Sequence, residues 1–361
     1  MVKRDLTFRP LDEHDCQQFL TLYEAVHGIE KPVEWFTWKY VDTPEIDHIP
    51  IIGAFDDGIL IGVRPLFVIP LRDRSWEGLG LEQSDAMVHP AYRRQGIFSE
   101  LVTQTIERYE TEENAVFFSF PNAASWGAYR KLGWQRVGPV NEGFNFHRIG
   151  SLGAERGKLP QKLARVADTI GNGFETLSRV GSPPPAGIQT DIVDGVPAKR
   201  IASLARRSQP LTIHTNRTRS FLEWRFDNPD WDYTTCIGTV NGTDTAALIV
   251  GTGVKNGIGQ ITRIVDIIPV TGDRLWERTI DWLLEEVRRI HATSTVFVVP
   301  ADRVPKQIRR RNGFISDRTE PLHRFSAETD LVIRPVTEGS IPERLTQREA
   351  WSPTFIEYDT S

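Results

Sequence analysis

Apolar segments and turn residues predict a series of strands and helices in the first part of the chain. Residues 51–63 form two apolar stretches around an Asp-Gly pair that favours tight hairpin turns, and they predict a β-hairpin. Another strand is expected to end at Pro90, and a helix is expected to begin after Gly96. The compact apolar run 115–121 predicts a further strand.

The segment after this run predicts a helix with defined ends. Asn122 is suited to cap the helix N-terminus, and Gly133 suits the position just past its C-terminus. Tyr129 follows Asn122 by seven residues, which is two helical turns, so the two lie roughly on one face. A Gly-aromatic pair, Gly133-Trp134, closes the block.

The same succession of features occurs twice. The aromatic motif at 35–45 recurs at 221–230, with Trp38 and Trp224 separated by 186 positions. Three further features recur at similar spacing, namely the hairpin at 235–250, the motif of 88–90 at 267–269, and the Gly-aromatic pair of 133–134 at 313–314. We therefore predict two diverged copies of one domain.

The repeat divides the chain into three parts. We predict a first domain at 1–150, a connector at 151–187, and a second copy with a C-terminal tail at 188–361. Within the connector, residues 159–180 have helical periodicity, and 181–187 form a stiff segment rich in proline. A short strand is expected at 331–334, and the tail with Trp351 and Tyr358 has no predicted place.

Composition and charge limit the class of protein. A length of 361 residues suits two domains, and 39% hydrophobic and 25% charged residues are typical of a soluble globular protein. The net charge of −5 gives no electrostatic argument for a nucleic-acid partner. No apolar run approaches the ~18 residues of a membrane span, and no signal peptide is visible. Cys16 and Cys236 lie far apart without metal-ligand spacing, so we expect no metal, reduced thiols and a cytoplasmic location.

The turn between Pro90 and the following helix predicts an anion site. The first backbone N–H groups of a helix have no helical acceptor, and the helix dipole favours a negative charge there. Gly96 permits close approach to a phosphate, while Arg93 and Arg94 add positive charge. The turn has neither the dinucleotide nor the Walker fingerprint. It predicts a pyrophosphate-containing cofactor of another kind.

Two blocks of sequence resemble the GCN5-related N-acetyltransferase (GNAT) family. The run V-x-P-x-Y-R-R-Q-G-I-F-S-x-L at 88–101 resembles the family's acetyl-CoA loop, of the form R/Q-x-x-G-x-G/A. Gly96 holds the central glycine place, and Phe98-Ser99 stand where a small residue is usual. The block 122–134 resembles the family's next motif, with its Asn, Tyr and Gly-aromatic pair. The resemblance implies an α/β (α+β) fold with two tandem GNAT-like domains, each a mixed twisted sheet flanked by helices.

The family resemblance also implies acetyl-CoA as the co-substrate. The residues implied to bind it are Met87, Val88, His89, Arg93, Arg94, Gln95, Gly96, Ile97, Phe98, Ser99, Asn122 and Ser125. In the family, a backbone N–H near the position of Val88 polarises the thioester carbonyl, and the residue at the Asn122 position contacts the pantetheine arm. Tyr129 matches the tyrosine that protonates the leaving sulfur.

The general base is chosen among residues near the end of the strand before Pro90. Asp85 is the first candidate and Glu82 the second, since the family often places a carboxylate on this strand. With regular alternation, Asp85, Met87 and His89 would share one face of the strand. Histidines titrate near neutral pH, but His89 adjoins the loop and is equally well explained as a loop-stabilising residue. All three side chains are also compatible with purely structural roles.

The acceptor is expected near the aromatic motif of the first copy. Trp35, Trp38 and Tyr40 recur in the second copy, where no chemistry is expected, so we interpret them first as core residues. Loop carboxylates at Asp42, Glu45 and Asp47 would attract a cationic amine, although such loop charges are usually only solvated.

The second copy lacks the residues of the predicted site. After Pro269 the sequence contains no Arg-Arg-Gln-Gly turn, and Asp273 would repel a phosphate. The segment 301–306 after its last long strand has no Asn-to-Tyr spacing. We expect a degenerate copy that keeps the fold and has lost the cofactor.

These observations favour an N-acetyltransferase. The leading hypothesis is transfer of an acetyl group from acetyl-CoA to a primary amine of a small molecule, with an amino sugar as one such acceptor, by direct attack in a ternary complex. An alternative is an acetyl-CoA-binding regulatory pseudo-enzyme, against which the Asn122–Tyr129 pair argues. Another is a Fem-type aminoacyl or peptidyl transferase, which also has two copies of this fold but generally lacks this loop. The acceptor, the acyl chain and the oligomeric state stay undetermined.

Overall fold

A computed structural model describes residues 6–121, 123–146, 185–208, 210–255, 259–320, 322, 329–337, 339 and 341–359. The predicted connector helix at 159–180 therefore lies outside the described residues, as does Asn122. The described chain forms two mixed β-sheets flanked by helices, one largely from each half of the sequence. The predicted fold class is confirmed.

The first half contains eight strands and four helices among its described residues. The strands are β1 (Leu6–Pro10), β2 (Ile51–Asp56), β3 (Ile59–Arg72), β4 (Glu77–Gln83), β5 (Met87–Val88), β6 (Ala115–Ser119), β7 (Gln135–Val140) and β8 (Glu142–Phe146). The helices are α1 (Cys16–His27), α2 (Val33–Phe36), which continues into the π-helical turn Thr37–Val41, α3 (Ile97–Tyr109) and α4 (Ala123–Lys131).

The described part of the second half has a similar order of elements. Its strands are β9 (Ile188–Asp194), β10 (His214–Thr215), β11 (Asp232–Val240), β12 (Thr243–Lys255), β13 (Gly259–Ile268), β14 (Val296–Pro300), β15 (Ile315–Ser316) and β16 (Thr329–Pro335). Its helices are α5 (Ala198–Arg206), α6 (Arg219–Arg225), α7 (Arg274–Ile290) and α8 (Lys306–Arg311).

The local turn chemistry acts as the sequence predicts. The hairpins β2–β3 and β11–β12 turn at Asp57-Gly58 and Asn241-Gly242, all four residues having positive φ. Gly133 ends the α4 region with φ of 80°, in the left-handed conformation that glycine adopts without steric cost. These turns fix the register of both hairpins.

Strands cross between the two halves: β8 joins the second sheet, while β16 and the short β10 join the first. The first sheet runs β1-β2-β3-β4-β6-β16-β7, with β5 and β10 also pairing with β3, and the second runs β15-β8-β14-β13-β12-β11-β9. Thus β16, from the end of the chain, lies between β6 and β7, and β8 lies between β14 and β15. No single position in the sequence therefore divides the strands of one sheet from those of the other. The predicted domain boundaries at 150 and 188 stay a prediction.

The strand before Pro90 is interrupted, which corrects the expectation of regular alternation. β3 pairs with β4 up to Leu66 opposite Gln83, and with β5 at Gly62 and Val63. Between these paired stretches, residues 84–86 leave the ladder, and Asp85 has φ of +40°. The parallel pairing of β4 with β6 covers only residues 79–82 of β4. The two strands therefore separate just before the interruption at 84–86.

The C-terminal tail, which the sequence left unplaced, packs between the halves. The Arg225 guanidinium donates to the backbone carbonyls of Ile356 and Tyr358 at 3.1 Å each. The Tyr358 ring stacks on Phe120 of the first half, with ring centroids 3.9 Å apart and planes 6° apart. The tail thereby reaches the end of β6, next to the separation of β4 and β6.

Candidate functional site

The turn into α3 presents unsatisfied backbone donors. Gly96 is the N-cap residue with φ of 84°, and no side chain caps the helix. Within the described residues, the N–H groups of Ile97, Phe98 and Ser99 have no hydrogen-bond acceptor. A Cβ built on Gly96 would have no atom within 4 Å, so the space in front of these donors is open. The helix N-terminus can therefore receive an anion.

The rest of the loop is held by its own hydrogen bonds. Arg93 Nε donates to the carbonyl of Val88 at 3.1 Å, and Gln95 Nε2 donates to the carbonyl of Ala91 at 3.3 Å. His89 Nδ1 accepts from the N–H of Ala91 at 3.3 Å, which agrees with a loop-stabilising role. Arg94 has φ of 62°, and both arginine side chains are exposed. The loop is thus a shaped turn with two solvent-facing cations.

The second copy fills the equivalent position with its own carboxylate. Asp273 Oδ1 accepts from the N–H groups of Leu275 and Trp276 at 2.9 and 3.0 Å, which caps α7. A Cβ at Gly272 would lie 2.2 Å from the Trp276 side chain, so no open space remains there. A phosphate would have to displace this internal anion, and the expected degeneration of the second copy agrees with this arrangement.

Tyr129 lies on the α4 side of the first sheet. Its hydroxyl is 3.2 Å from Ser119 Oγ at the end of β6, and its ring packs edge-on against Trp134 with centroids 5.0 Å apart. It packs at the edge of a core cluster that includes Leu66 and Leu81. The hydroxyl of this half-buried phenol therefore lies at the end of β6. Ser125 lies in α4, but its side chain is outside the described part of the structure.

Asp85 is a buried, paired carboxylate. Its Oδ2 accepts from Lys39 Nζ at 2.6 Å and from the Tyr40 hydroxyl at 2.7 Å. Burial alone would raise the pKa of Asp85, but the charge of Lys39 and these two hydrogen bonds lower it below its ordinary value. A carboxylate held in this way is a weak base.

Glu82 has the opposite electrostatic character. It is buried, and its Oε2 accepts the backbone N–H of Asp359 at 2.8 Å. Desolvation, together with the charge of Asp359, raises the pKa of Glu82 well above its ordinary value. Glu82 is cross-strand from Phe67, whose ring packs on Trp38 and Trp224. Its side chain thus faces the junction between the halves, on the side of the sheet away from Tyr129.

Lys39 and Asp359 belong to this carboxylate cluster, and sequence reasoning missed both. Lys39 Nζ also lies 2.6 Å from Asp359 Oδ1, so one buried ammonium joins two carboxylates. Burial disfavours its charge, but Asp359 and Asp85 raise the pKa of Lys39 above the ordinary value. The repeat placed Lys39 beside core aromatic residues, and nothing local in the sequence indicates a partner 320 positions away.

The other aromatic and acidic candidates have different surroundings. Trp35, Trp38 and Tyr40 are buried core residues, as interpreted from their recurrence. Asp42 and the Asp47 side chain are exposed. Glu45 is partly buried, which raises its pKa. The structure therefore brings Glu82, Asp85 and Tyr40 together and leaves the loop acids outside this cluster.

Sequence comparison finds a family match in the first copy. A profile of the acetyltransferase (GNAT) domain matches residues 7–137, which span β1 to the start of β7. Residues 7–137 thus match the GNAT domain over about a third of the chain. The open N-terminus of α3 and Tyr129 both lie within the matched segment. No protein of curated function matches the chain by sequence.

Solved structures extend the likeness in fold to nearly the whole chain. A GCN5-related N-acetyltransferase from Anabaena variabilis is 12% identical, with a TM-score of 0.60 over 93% of this chain and 74% of that one. A tandem GNAT protein from the clavulanic acid biosynthesis pathway is 13% identical, with a TM-score of 0.55 over 92% and 99%. N-myristoyltransferase of Saccharomyces cerevisiae with bound myristoyl-CoA is 12% identical, with a TM-score of 0.56 over 92% and 83%.

These likenesses show the fold, a tandem arrangement of two GNAT-like domains. GNAT enzymes generally use acyl-CoA. Among the described residues, no helix is both long and apolar enough to cross a membrane.

Proposed function

We propose that this tandem GNAT protein transfers an acyl group from an acyl-CoA to the primary amine of a small molecule, with acetyl-CoA as the donor that the family resemblance implies. The observation that carries the proposal is the open, donor-rich N-terminus of α3 at Gly96. It suits a pyrophosphate, and the same position in the second copy is filled by Asp273.

The arrangement supports direct transfer in a ternary complex. The amine nitrogen attacks the thioester carbonyl, the carbon–sulfur bond breaks, and a carbon–nitrogen bond forms. Met87, Val88 and the loop from Arg93 to Ser99 would hold the cofactor, with a backbone N–H near Val88 polarising the carbonyl. Tyr129 would give its proton to the departing thiolate. Holding both reactants in line supplies much of the rate enhancement.

Glu82 is the better general base of the two carboxylates. A base must accept a proton near neutral pH, and the raised pKa of Glu82 moves it toward that range, whereas Lys39 holds the pKa of Asp85 low. We therefore reverse the order of preference reached from the sequence, and assign Asp85 to holding Lys39 and Tyr40. Glu82 and Tyr129 lie on opposite faces of the sheet, with the interruption at 84–86 beside both. In this proposal base and acid would approach the reacting carbon from the two faces of the sheet.

A regulatory pseudo-enzyme that only binds acyl-CoA is the second candidate, because the carboxylate cluster is sealed by the tail residue Asp359. The two functions differ in turnover. Incubating the protein with acetyl-CoA and a panel of small amines, amino sugars included, and following release of the free thiol tests the proposal. Amine-dependent release supports it. Binding of CoA without release from any amine supports the pseudo-enzyme. The cytoplasmic location stays a prediction.

A further inference from the structure

Arg64 of β3 is a buried cation with no hydrogen-bond or ion-pair partner in the described structure. Its residue exposure is 2%, and its Nε makes no hydrogen bond. Among the described residues no carboxylate forms an ion pair with it. Burial lowers the pKa of the guanidinium to about 10, so it remains charged at neutral pH. An isolated buried charge is costly, and buried charges in proteins are normally paired.

Arg64 lies at the site described above, on the side where acyl-CoA is proposed to bind. Arg64 lies between the stretch of β3 paired with β5 and the stretch paired with β4, opposite the interruption at 84–86. Two residues earlier, a Cβ on Gly62 would lie 3.3 Å from Leu101 and 3.4 Å from Ile97, so this face of β3 points toward α3.

Two residues of the proposed acyl-CoA site are near this guanidinium. Its carbon lies 5.1 Å from the centre of the Phe98 ring, in the first turn of α3. Tyr129 packs against the cluster that contains Leu66, which lies two residues further along β3 on the same face as Arg64. Gln83, cross-strand from Leu66 on the same face, has a buried Oε1 that is also unpartnered in the described structure. Two unsatisfied polar groups therefore lie on this face of the sheet, beside the interruption at 84–86.

The second copy provides an internal comparison. Its β12 presents Leu248 and Val250 on the face toward α7, the face of the strand that corresponds to Arg64. Both are fully buried in an apolar cluster with Trp276. An apolar side chain at this position is therefore compatible with the packing of the fold. The charged residue occurs in the copy that has the open α3 N-terminus.

We propose that Arg64 recognises a carboxylate at the far end of the acyl group, so that the preferred donors are CoA thioesters of dicarboxylic acids. A methyl group, as in acetyl-CoA, would leave the guanidinium unpaired, whereas a carboxylate would form charge-assisted hydrogen bonds with it. The inference rests on the proposed function and narrows its donor class. The pyrophosphate has its own donors at the N-terminus of α3, and the thiolate has Tyr129.

Calorimetric titration of the full chain with CoA, acetyl-CoA, malonyl-CoA and succinyl-CoA tests the inference without the acceptor. We expect malonyl-CoA or succinyl-CoA to bind about 10- to 100-fold more tightly than acetyl-CoA, the usual worth of a charge-assisted pair. Arg64→Leu should remove that preference and leave the affinities for acetyl-CoA and CoA within about threefold. Arg64→Lys should retain part of it. Arg108→Leu is the matched control, because Arg108 also lies over a ring, that of Tyr109, but is solvent-exposed on α3.

Each contrary result has a distinct meaning. Equal affinity of the wild type for all three thioesters overturns the inference, and this comparison does not depend on whether Arg64→Leu folds. If Arg64→Leu loses affinity equally for all ligands, CoA included, Arg64 binds the pyrophosphate. That result also overturns the inference. If Arg64→Leu leaves binding unchanged but lowers amine-dependent thiol release equally for all donors, Arg64 acts on the thiolate. That result overturns the inference as well. If CoA itself does not bind to the wild type, the proposed function has failed rather than this inference alone.

Discussion

Trp38 and Trp224 donate their indole N–H groups to each other's backbone carbonyl oxygens. Trp38 Nε1 lies 2.7 Å from the Trp224 carbonyl, Trp224 Nε1 lies 2.6 Å from the Trp38 carbonyl, and the rings stack with centroids 6.1 Å apart. The contact is reciprocal, as a local two-fold relation between the copies requires. The repeated aromatic motif is thus the place where the two halves meet, and both tryptophans are buried.

Replacing one of these tryptophans should weaken the junction. Trp38→Phe keeps an aromatic ring but leaves the carbonyl of Trp224 buried without its donor, which costs about 1–3 kcal/mol. Trp224→Phe should cost a similar amount. Urea titration of both single variants and the double variant gives the free energies of unfolding. Trp126→Phe is the control, because Trp126 is a partly buried residue of α4 that lies away from the junction. Single variants as stable as the wild type would show that the reciprocal bonds contribute nothing.

Tyr129 is expected to act as the acid for the thiolate. Tyr129→Phe keeps the ring against Trp134 and removes the proton, so the single-turnover rate of thiol release should fall by roughly 10²–10⁴. Binding of CoA should change little, since the hydroxyl acts on charge that develops as the thioester breaks. Tyr109→Phe, whose hydroxyl contacts His48, serves as the control. A full single-turnover rate in the Tyr129→Phe variant would leave Tyr129 as a packing residue.

Glu82→Gln should separate catalysis from stability. Because the native pKa of Glu82 is raised, the wild type loses stability as pH rises from the unfolded value of about 4.3 through the native one. The variant lacks this loss, so its stability relative to wild type should increase as the pH rises above the unfolded value of about 4.3. Its kcat should fall by roughly 10²–10⁴. Stability curves of both proteins that run parallel over this window would contradict the assignment of a raised pKa.

Lys39 is expected to hold the buried carboxylates together. Lys39→Met leaves Asp85 and Asp359 facing each other without a cation and should cost about 3–5 kcal/mol at neutral pH. In the wild type the lowered pKa of Asp85 stabilises the fold above about pH 4, and this contribution is lost in acid. The difference in unfolding free energy between the two proteins should therefore shrink below pH 4, approximately the unfolded value. A difference that is independent of pH would exclude the ionic explanation.

The sequence predicted the local parts of the molecule well. Asp57-Gly58, Asn241-Gly242, Gly96 and Gly133 each have the backbone conformation that their chemistry favours, and the recurrence of Trp38 as Trp224 indicated the duplication. The exchange of β8 and β16 could not be predicted, since a short apolar strand fits the centre of either sheet equally well. Its partner is decided by long-range packing.

The site was predicted where its residues are neighbours in sequence and missed where they are not. The loop at 93–99 and Tyr129 follow from motifs. The contact of Glu82 with Asp359 joins residues 277 positions apart, and it changes which carboxylate is the better base. Arg64 lies within an apolar strand, where no periodicity marks a buried charge as functional. Desolvation, which sets the pKa of these groups, is a property of the folded structure alone.

The most direct measurement of the central account is the number of CoA sites per chain in the wild type and in Gly96→Asp. Gly96 has φ of 84° and stands in front of the open N–H groups of α3, so an aspartate there adds strain and a negative charge where the pyrophosphate would bind. Gly28→Asp is the matched control, since Gly28 ends α1 with φ of 70° and equally open surroundings. Calorimetry should give one site per chain in the wild type and in Gly28→Asp, and none in Gly96→Asp. Two sites per chain, or unchanged affinity in Gly96→Asp, would contradict it.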